Sequence, residues 1–172
     1  MRYAGVIQND VVNGQGVCVS FWTQGCPHHC EGCFNPETWD FNGGYEAPSD
    51  LAERIVKAIS ANGIQRNFSV LGGEPLSIQN RKMVLEILKA VRASYPKIRI
   101  FLWTGYEMSE LLTNTDTVVS SILNEIDVLV DGKFEKDKKD FSITLRGSCN
   151  QNIWEKNCGK WECVSNKYDK KN

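Results

Sequence analysis

Short apolar runs alternate with amphipathic helical patterns along most of this chain. The predicted strands span residues 17–23, 68–71, 98–103 and 127–130, and the predicted helices span 51–61, 80–94, 107–112 and 117–126. This alternation is typical of βαβ units, in which each helix carries the chain back so that the next strand runs parallel to the last. The sequence therefore predicts an α/β fold with at least four parallel strands. Residues 142–146 are predicted to add a last strand.

The composition is that of one folded domain. The chain has 172 residues, of which 41% are hydrophobic and 24% are charged, and its formal net charge is −1. A charge this close to zero disfavours general binding to nucleic acid or to anionic membranes, because both need a surplus of Lys and Arg. No run approaches the ~18 apolar residues of a membrane span, and the first residues lack the pattern of a secretory signal. We expect a cytoplasmic protein.

Seven cysteines are many for a chain of this size, and three of them follow the first predicted strand in the spacing C-x3-C-x2-C. These three are Cys26, Cys30 and Cys33. Three thiolates on one loop can hold three irons of a cubane [4Fe–4S] cluster and leave the fourth iron open to a ligand from outside the protein. Two other interpretations stay open, namely buried structural cysteines, or a zinc site completed by His28, His29 or a C-terminal cysteine.

Unusual residues also follow the other three predicted strands. Gly-Gly-Glu-Pro stands at 72–75, Thr-Gly-Tyr at 104–106 and Asp-Gly-Lys-Phe at 131–134. The carboxyl ends of parallel strands lie at one edge of a sheet, where ligands of α/β proteins bind, so all four loops are predicted to converge on one site. Taken singly, the same residues are compatible with a plain turn at 72–75, a helix cap at Thr104 and an Asp-Gly turn at Asp131.

The order of these motifs resembles that of the radical S-adenosylmethionine (SAM) superfamily, with C-x3-C-x2-C after the first strand and Gly-Gly-Glu-Pro after the second. Within it, the chain resembles the anaerobic ribonucleoside-triphosphate reductase-activating proteins from about residue 9 to residue 153. The segments that carry this closer resemblance are Asn-Gly-Gln-Gly at 13–16, Phe-Trp-Thr-Gln-Gly-Cys at 21–26, Cys-Phe-Asn at 33–35, Leu-Trp-Thr-Gly-Tyr at 102–106, Leu-Val-Asp-Gly-Lys-Phe at 129–134 and Arg-Gly-Ser-Cys-Asn-Gln at 146–151.

The resemblance implies a partial, open (β/α) barrel of the radical SAM type over residues 1–153, followed by a partly disordered tail over 154–172. It implies an enzyme, an oxidoreductase, in which a [4Fe–4S] cluster cleaves SAM reductively to a 5′-deoxyadenosyl radical. That radical would take a hydrogen atom from a glycine of the large subunit of anaerobic ribonucleoside-triphosphate reductase and leave a glycyl radical there. Reduced flavodoxin or a similar protein would supply the electron.

The resemblance also implies the residues of the site. Cys26, Cys30 and Cys33 would ligate the cluster and act in catalysis through it. The residues assigned to SAM binding are Gly32, Cys33, Phe34, Gly72, Gly73, Glu74, Thr104 and Asp131. In some related activases the region of Asp131 also holds a monovalent cation, which the oxygen atoms of Thr104 and Asp131 would suit.

Two rival interpretations remain at this point. A different radical SAM enzyme, either an activase of another glycyl-radical enzyme or one like 7-carboxy-7-deazaguanine synthase, would share the cysteine motif. The runs at 103–106 and 131–134 favour the reductase activator. A zinc-binding interaction module without catalysis belongs to another class, and the iron and zinc contents of anaerobically purified protein distinguish it from the enzyme.

Overall fold

The computed structural model describes residues 1–169, which form one mixed eight-stranded sheet with helices packed against it. The strands are β1 (Arg2–Asp10), β2 (Cys18–Thr23), β3 (Tyr45–Glu46), β4 (Asn67–Gly72), β5 (Ile100–Trp103), β6 (Val128–Asp131), β7 (Asn152–Asn157) and β8 (Lys160–Cys163). The helices are α1 (Leu51–Ile59), α2 (Arg81–Ser94), α3 (Met108–Thr113), α4 (Thr117–Glu125) and α5 (Ser165–Tyr168). Among these residues, no helix has both the length and the apolar composition that crossing a bilayer requires.

Four strands in the middle of the sheet are parallel. The strand order is β3-β1-β2-β4-β5-β6-β7-β8, and the pairs β2–β4, β4–β5 and β5–β6 run parallel. β1 and β3 on one side, and β7 and β8 on the other, are antiparallel to their neighbours. The predicted α/β class and its four parallel strands are therefore confirmed. The sheet is open, because no pairing within residues 1–169 joins β3 to β8.

The larger hydrophobic core lies between the parallel strands and the helices that connect them. Phe21, Val70, Leu102 and Leu129 are fully buried in it, and they are register partners across β2, β4, β5 and β6. Because side chains alternate between the faces of a strand, this register places all four on the helical side. Each such side chain stabilises the fold by ~1.5–3 kcal/mol when fully buried. Burial of these side chains therefore fixes the register of the four strands. The register in turn fixes where the strands end relative to one another.

The opposite face of the sheet is covered by irregular chain. Phe101, Val128 and Val130 point to this face and pack with Leu145. The strand predicted at residues 142–146 is wrong, since these residues form bends in which Leu145 has a φ of +61°. The apolar residues that favoured a strand instead help to cover the sheet. The Leu145 carbonyl also accepts the indole N–H of Trp103 at 2.8 Å.

The C-terminal segment continues the sheet. β7 begins at Asn152, pairs with β6, and is followed by β8 and the short helix α5. The sequence pattern did not predict these two strands, because their composition is about half polar, as expected for antiparallel strands with one exposed face. The division into a domain over 1–153 and a tail over 154–172 stays a prediction, and residues 170–172 of that tail lie outside the described residues.

Candidate metal centre

The loop that carries Cys26, Cys30 and Cys33 leaves the carboxyl end of β2. Its two ends are fastened together, because the Gly25 N–H donates to the Thr38 carbonyl at 2.8 Å and the Cys26 N–H donates to the Trp39 carbonyl at 3.0 Å. All three cysteines carry free thiols and are partly buried. The sequence thus closes a compact loop in which three sulfur atoms are held on one short stretch of backbone.

Backbone N–H groups near the sulfur atoms favour the thiolate form. Burial is the larger effect and raises the pKa of Cys26 and Cys30, but the N–H groups of His28 and His29 lower the pKa of Cys26, and the N–H of Phe134 lowers that of Cys30. Cys33 accepts from the following loop, where the Asn35 N–H lies 3.4 Å from its sulfur. Hydrogen bonds of this kind stabilise thiolates and are one of the levers by which proteins tune iron–sulfur clusters.

Burial raises the pKa of the Cys26 thiol to about 11, and the Glu74 carboxylate nearby adds to the shift. Burial also raises the pKa of the Cys30 thiol. Both groups are therefore protonated thiols near neutral pH in the protein without metal. Because a metal binds the thiolate, loading of this loop must release protons.

Three thiols are a donor set that suits an iron–sulfur cluster, because thiolates are the usual ligands of such clusters. Among residues 1–169, no three Cys, His, Asp or Glu side chains converge as one metal ion requires. A zinc ion needs its ligand atoms ~2.0–2.3 Å from one point, whereas a cubane cluster spreads its thiolates over separate irons.

The loop that follows β4 packs directly on the start of the cysteine loop. Gly72 has a φ of +103°, and the Glu74 N–H donates to the Gly25 carbonyl at 2.9 Å. A Cβ atom on Gly73 would lie 2.5 Å from the Gly25 carbonyl oxygen, so only glycine allows this approach. The two glycines are thus needed for contact between the two loops. This packing requires glycine at both positions whether or not they also contact a ligand.

The Glu74 carboxylate is the centre of a buried hydrogen-bond network, with only 1% of its side chain exposed. Its Oε1 accepts from the Thr104 hydroxyl at 2.8 Å and from the Leu76 N–H at 2.9 Å. Its Oε2 accepts from the Gly105 N–H at 2.8 Å and pairs with His28 Nε2 at 2.9 Å. One side chain therefore joins the loops that follow β2, β4 and β5.

Sequence reasoning missed two members of this network. From the sequence, His28 is named only as a possible zinc ligand, and Asn80 enters only as the first residue of a predicted helix. The Asn80 amide donates to the carbonyls of Gly25 and Glu74 at 3.1 and 2.9 Å. The one sequence signal for His28 is its position between two cysteines of the motif. Only the zinc interpretation gives a functional role to a histidine at that position.

Phe34 lies beside the cysteine loop and is 49% exposed. Its ring contacts Phe134 and Phe141, with ring centroids 5.0 and 6.1 Å away, and the Lys139 ammonium lies 5.2 Å above it. Gly32 has a φ of +74°, which favours glycine at the turn before Cys33. This part of the site offers an apolar surface next to the third cysteine.

Asp131 stands apart from the Glu74 network. Its carboxylate is buried and accepts the N–H of Met108 at 2.7 Å and the N–H of Asn152 at 3.1 Å. It therefore holds the start of α3 to the start of β7. The next residue, Gly132, contacts the loop after β5, because its N–H donates to the Tyr106 carbonyl at 3.0 Å. The predicted cation near Asp131 stays a prediction.

Comparisons with known proteins identify the family. The profile of a family described as a 4Fe-4S single cluster domain matches residues 12–154. The anaerobic ribonucleoside-triphosphate reductase-activating protein of Pasteurella multocida is 37% identical over 155 residues, which cover 90% of this chain and 97% of that protein. The protein of that name from Escherichia coli K12 is 37% identical over 152 residues, covering 88% and 96%. The one from Enterobacteria phage T4 is 33% identical over 162 residues, covering 94% and 99%.

The chain belongs to the anaerobic ribonucleoside-triphosphate reductase-activating protein family. The resemblance predicted from the sequence motifs is thereby confirmed. The family match includes the whole cysteine loop and all four loops at the carboxyl edge of the parallel strands. It also favours a cluster over the zinc module as the occupant of Cys26, Cys30 and Cys33.

The three C-terminal cysteines lie outside the cysteine loop. Cys158 and Cys163 lie beyond residue 154, where the family match ends, and both are exposed, as is Cys149. Cys158 serves below as a matched control for the cysteines of the loop.

Proposed function

We propose that this chain is the radical SAM activase of an anaerobic ribonucleoside-triphosphate reductase. The observation that carries the proposal is the contact between the three-cysteine loop and the Gly72–Glu74 loop, at the carboxyl edge of four parallel strands. Family membership supports the same activity, because relatives covering about 90% of the chain carry that name. The other radical SAM enzymes considered from the sequence have no comparable support.

We further propose that the open sheet is a partial (β/α) barrel of the radical SAM type, formed by residues 1–153. The four parallel strands and the helices on one face support this assignment. Strands β7 and β8 then extend the sheet at its C-terminal side. An open sheet leaves the carboxyl edge accessible from the side, as a protein substrate requires.

Cys26, Cys30 and Cys33 would hold a [4Fe–4S] cluster, and SAM would bind beside it. Bound together, they supply one-electron cleavage of SAM to a 5′-deoxyadenosyl radical that takes a hydrogen atom from a glycine of the reductase. The chain's own task is to place and shield the two groups. The half-exposed ring of Phe34, with Gly32 and Cys33 before it, offers an apolar wall for the adenine.

Gly72, Gly73 and Glu74 are proposed to contact the methionine end of SAM. The Glu74 carboxylate already accepts four hydrogen bonds, so we assign this contact to the backbone of the two glycines. Thr104 would act through Glu74, because its hydroxyl donates to that carboxylate. Asp131 uses two of the ~four acceptor positions of a carboxylate, which leaves capacity for a monovalent cation.

The proposed partners are the large subunit of the reductase, which carries the glycine, and reduced flavodoxin or a similar protein as electron donor. The names of the relatives support the first partner. The near-neutral net charge of −1 supports neither nucleic acid nor an anionic membrane as a partner.

The proposal is tested by mixing the anaerobically reconstituted chain with an anaerobic ribonucleoside-triphosphate reductase, SAM and a reductant. We expect a glycyl-radical doublet by electron paramagnetic resonance. Cys30→Ala should abolish the doublet, whereas Cys158→Ala, at an exposed cysteine outside the loop, should leave it unchanged. A reconstituted wild-type chain that cleaves SAM but gives no doublet with this reductase would point to another substrate.

A further inference from the structure

His28 turns inward from an otherwise exposed part of the cysteine loop. Pro27 and His29 on either side of it are exposed, but only 7% of the His28 side chain is exposed. His28 Nε2 lies 2.9 Å from Glu74 Oε2. A buried ring nitrogen paired with a buried carboxylate is a specific contact, because without Glu74 the nitrogen would be desolvated and lack this partner.

The surroundings of His28 are shaped to receive the ring. It packs edge-on against Tyr106, with centroids 4.8 Å apart. A Cβ atom on Gly105 would lie 2.4 Å from His28 Cδ2, so the glycine after Thr104 leaves the space that the ring fills. The loop after β5 is thus complementary to a side chain of the cysteine loop.

His28 is also joined to a cluster ligand through the chain. It follows Cys26 by two residues, while its side chain reaches Glu74. Glu74 in turn accepts from Thr104 and Gly105. A single residue therefore connects a sulfur ligand to the carboxylate that fastens three loops together.

We propose that His28 is a positioning residue that fixes the cysteine loop relative to the backbone of Gly72 and Gly73. This inference rests on the proposed function, in which the cysteines hold the cluster and the glycines contact SAM. The hydrogen bond from His28 Nε2–H to Glu74 sets the orientation of the cysteine loop relative to its two ends, which are held together by backbone hydrogen bonds. Losing that bond leaves the three cysteines free to bind iron but misplaces them for SAM.

Two substitutions separate the hydrogen bond from the bulk of the ring. His28→Gln places an amide nitrogen close to the position of Nε2, whereas in His28→Asn the amide is too short to reach Glu74. The control is His29→Asn, because His29 is exposed and stacks on Trp39 with centroids 4.9 Å apart. Iron content, the midpoint SAM concentration for the change in the reduced-cluster resonance, and unfolding of the metal-free chain are measured for each.

We expect all three variants to load the wild-type amount of iron. His28→Asn should need at least about tenfold more SAM for the half-maximal spectral change, equal to ~1.4 kcal/mol of binding free energy. His28→Gln should stay within about threefold of wild type, as should His29→Asn. Rescue by glutamine is the readout that a purely structural role would not give.

Equal SAM midpoints for His28→Asn and wild type would overturn the inference, as would equal weakening in His28→Asn and His28→Gln. A wild-type cluster that does not respond to SAM would instead overturn the proposed function, so the two failures are distinct. If His28→Asn loads no iron, hydrogen exchange of the metal-free chains decides. Amides of residues 26–34 should exchange faster in His28→Asn than in His28→Gln, and equal exchange would overturn the inference.

Discussion

Glu74→Gln should destabilise the metal-free chain strongly, although the two side chains have nearly the same shape. Each carboxylate oxygen of Glu74 accepts one backbone amide, from Leu76 at Oε1 and from Gly105 at Oε2. Each oxygen also has a side-chain partner, Thr104 at Oε1 and His28 at Oε2. A glutamine amide keeps only one oxygen. Whichever way it turns, its NH₂ group faces a backbone N–H.

The magnitude follows from the number of bonds lost. One bond to a backbone N–H disappears, and the other three lose the charge of the carboxylate. Because a bond to a charged group contributes ~1.5–3 kcal/mol and a neutral one ~1 kcal/mol, the free energy of unfolding should fall by at least ~3 kcal/mol. Against a typical total of ~5–15 kcal/mol, this is a large loss. Thr104→Val removes a single bond to Glu74 and should cost ~1.5–3 kcal/mol.

The assay is equilibrium unfolding in urea under anaerobic, reducing conditions, with an unchanged slope as the check for two-state behaviour. The matched control is Glu31→Gln, because Glu31 is 80% exposed and pairs with an exposed lysine, Lys136. Its unfolding should differ little from wild type. If Glu74→Gln loses no more stability than Thr104→Val, the carboxylate does not hold the loops together as described.

Two further substitutions test one contact at the site, by Gly73, and one at the opposite edge of the sheet, where Asp10 pairs with Cys18 at the start of β2. Gly73→Ala should prevent the cysteine loop from closing and lower iron loading at least severalfold, because its Cβ would lie 2.5 Å from the Gly25 carbonyl oxygen; wild-type loading would contradict this packing. Asp10→Asn should cost ~2 kcal/mol at neutral pH. Burial raises the pKa of Asp10, but hydrogen bonds from Asn13 and its neighbours bring the net value below 3.8. The stability that ionised Asp10 contributes is thus present above pH ~4 and lost as pH falls further, so urea unfolding of the two proteins should converge there; a constant difference would argue against ionised Asp10.

The parallel strands were predictable because they are buried on both faces and therefore appear as nearly continuous apolar runs. β5, for example, is Ile-Phe-Leu-Trp. β7 (Asn-Ile-Trp-Glu-Lys-Asn) and β8 (Lys-Trp-Glu-Cys) mix apolar and polar residues over only four to six positions, which gives a weaker signal. Residues 142–146 have an apolar alternation without a neighbouring strand to pair with, so they cover the sheet instead.

The convergence of the loops was predictable from strand order alone, because parallel strands end at one edge. The partners of individual side chains were not predictable. Whether His28 turns toward Glu74 depends on space at Gly105, and whether Asp131 faces the site or α3 depends on the path of the loop after β5. Such choices are set by contacts between distant segments, which local sequence patterns do not encode.

The central claim is that Cys26, Cys30 and Cys33 hold a cluster with one iron left for SAM. Electron–nuclear double resonance on the reduced cluster tests it most directly, with SAM labelled by ¹⁵N in its amino group and by ¹⁷O in its carboxylate. We predict couplings from both labels that disappear when Cys33 is replaced by Ala. A reduced four-iron cluster that binds SAM without either coupling would contradict the account.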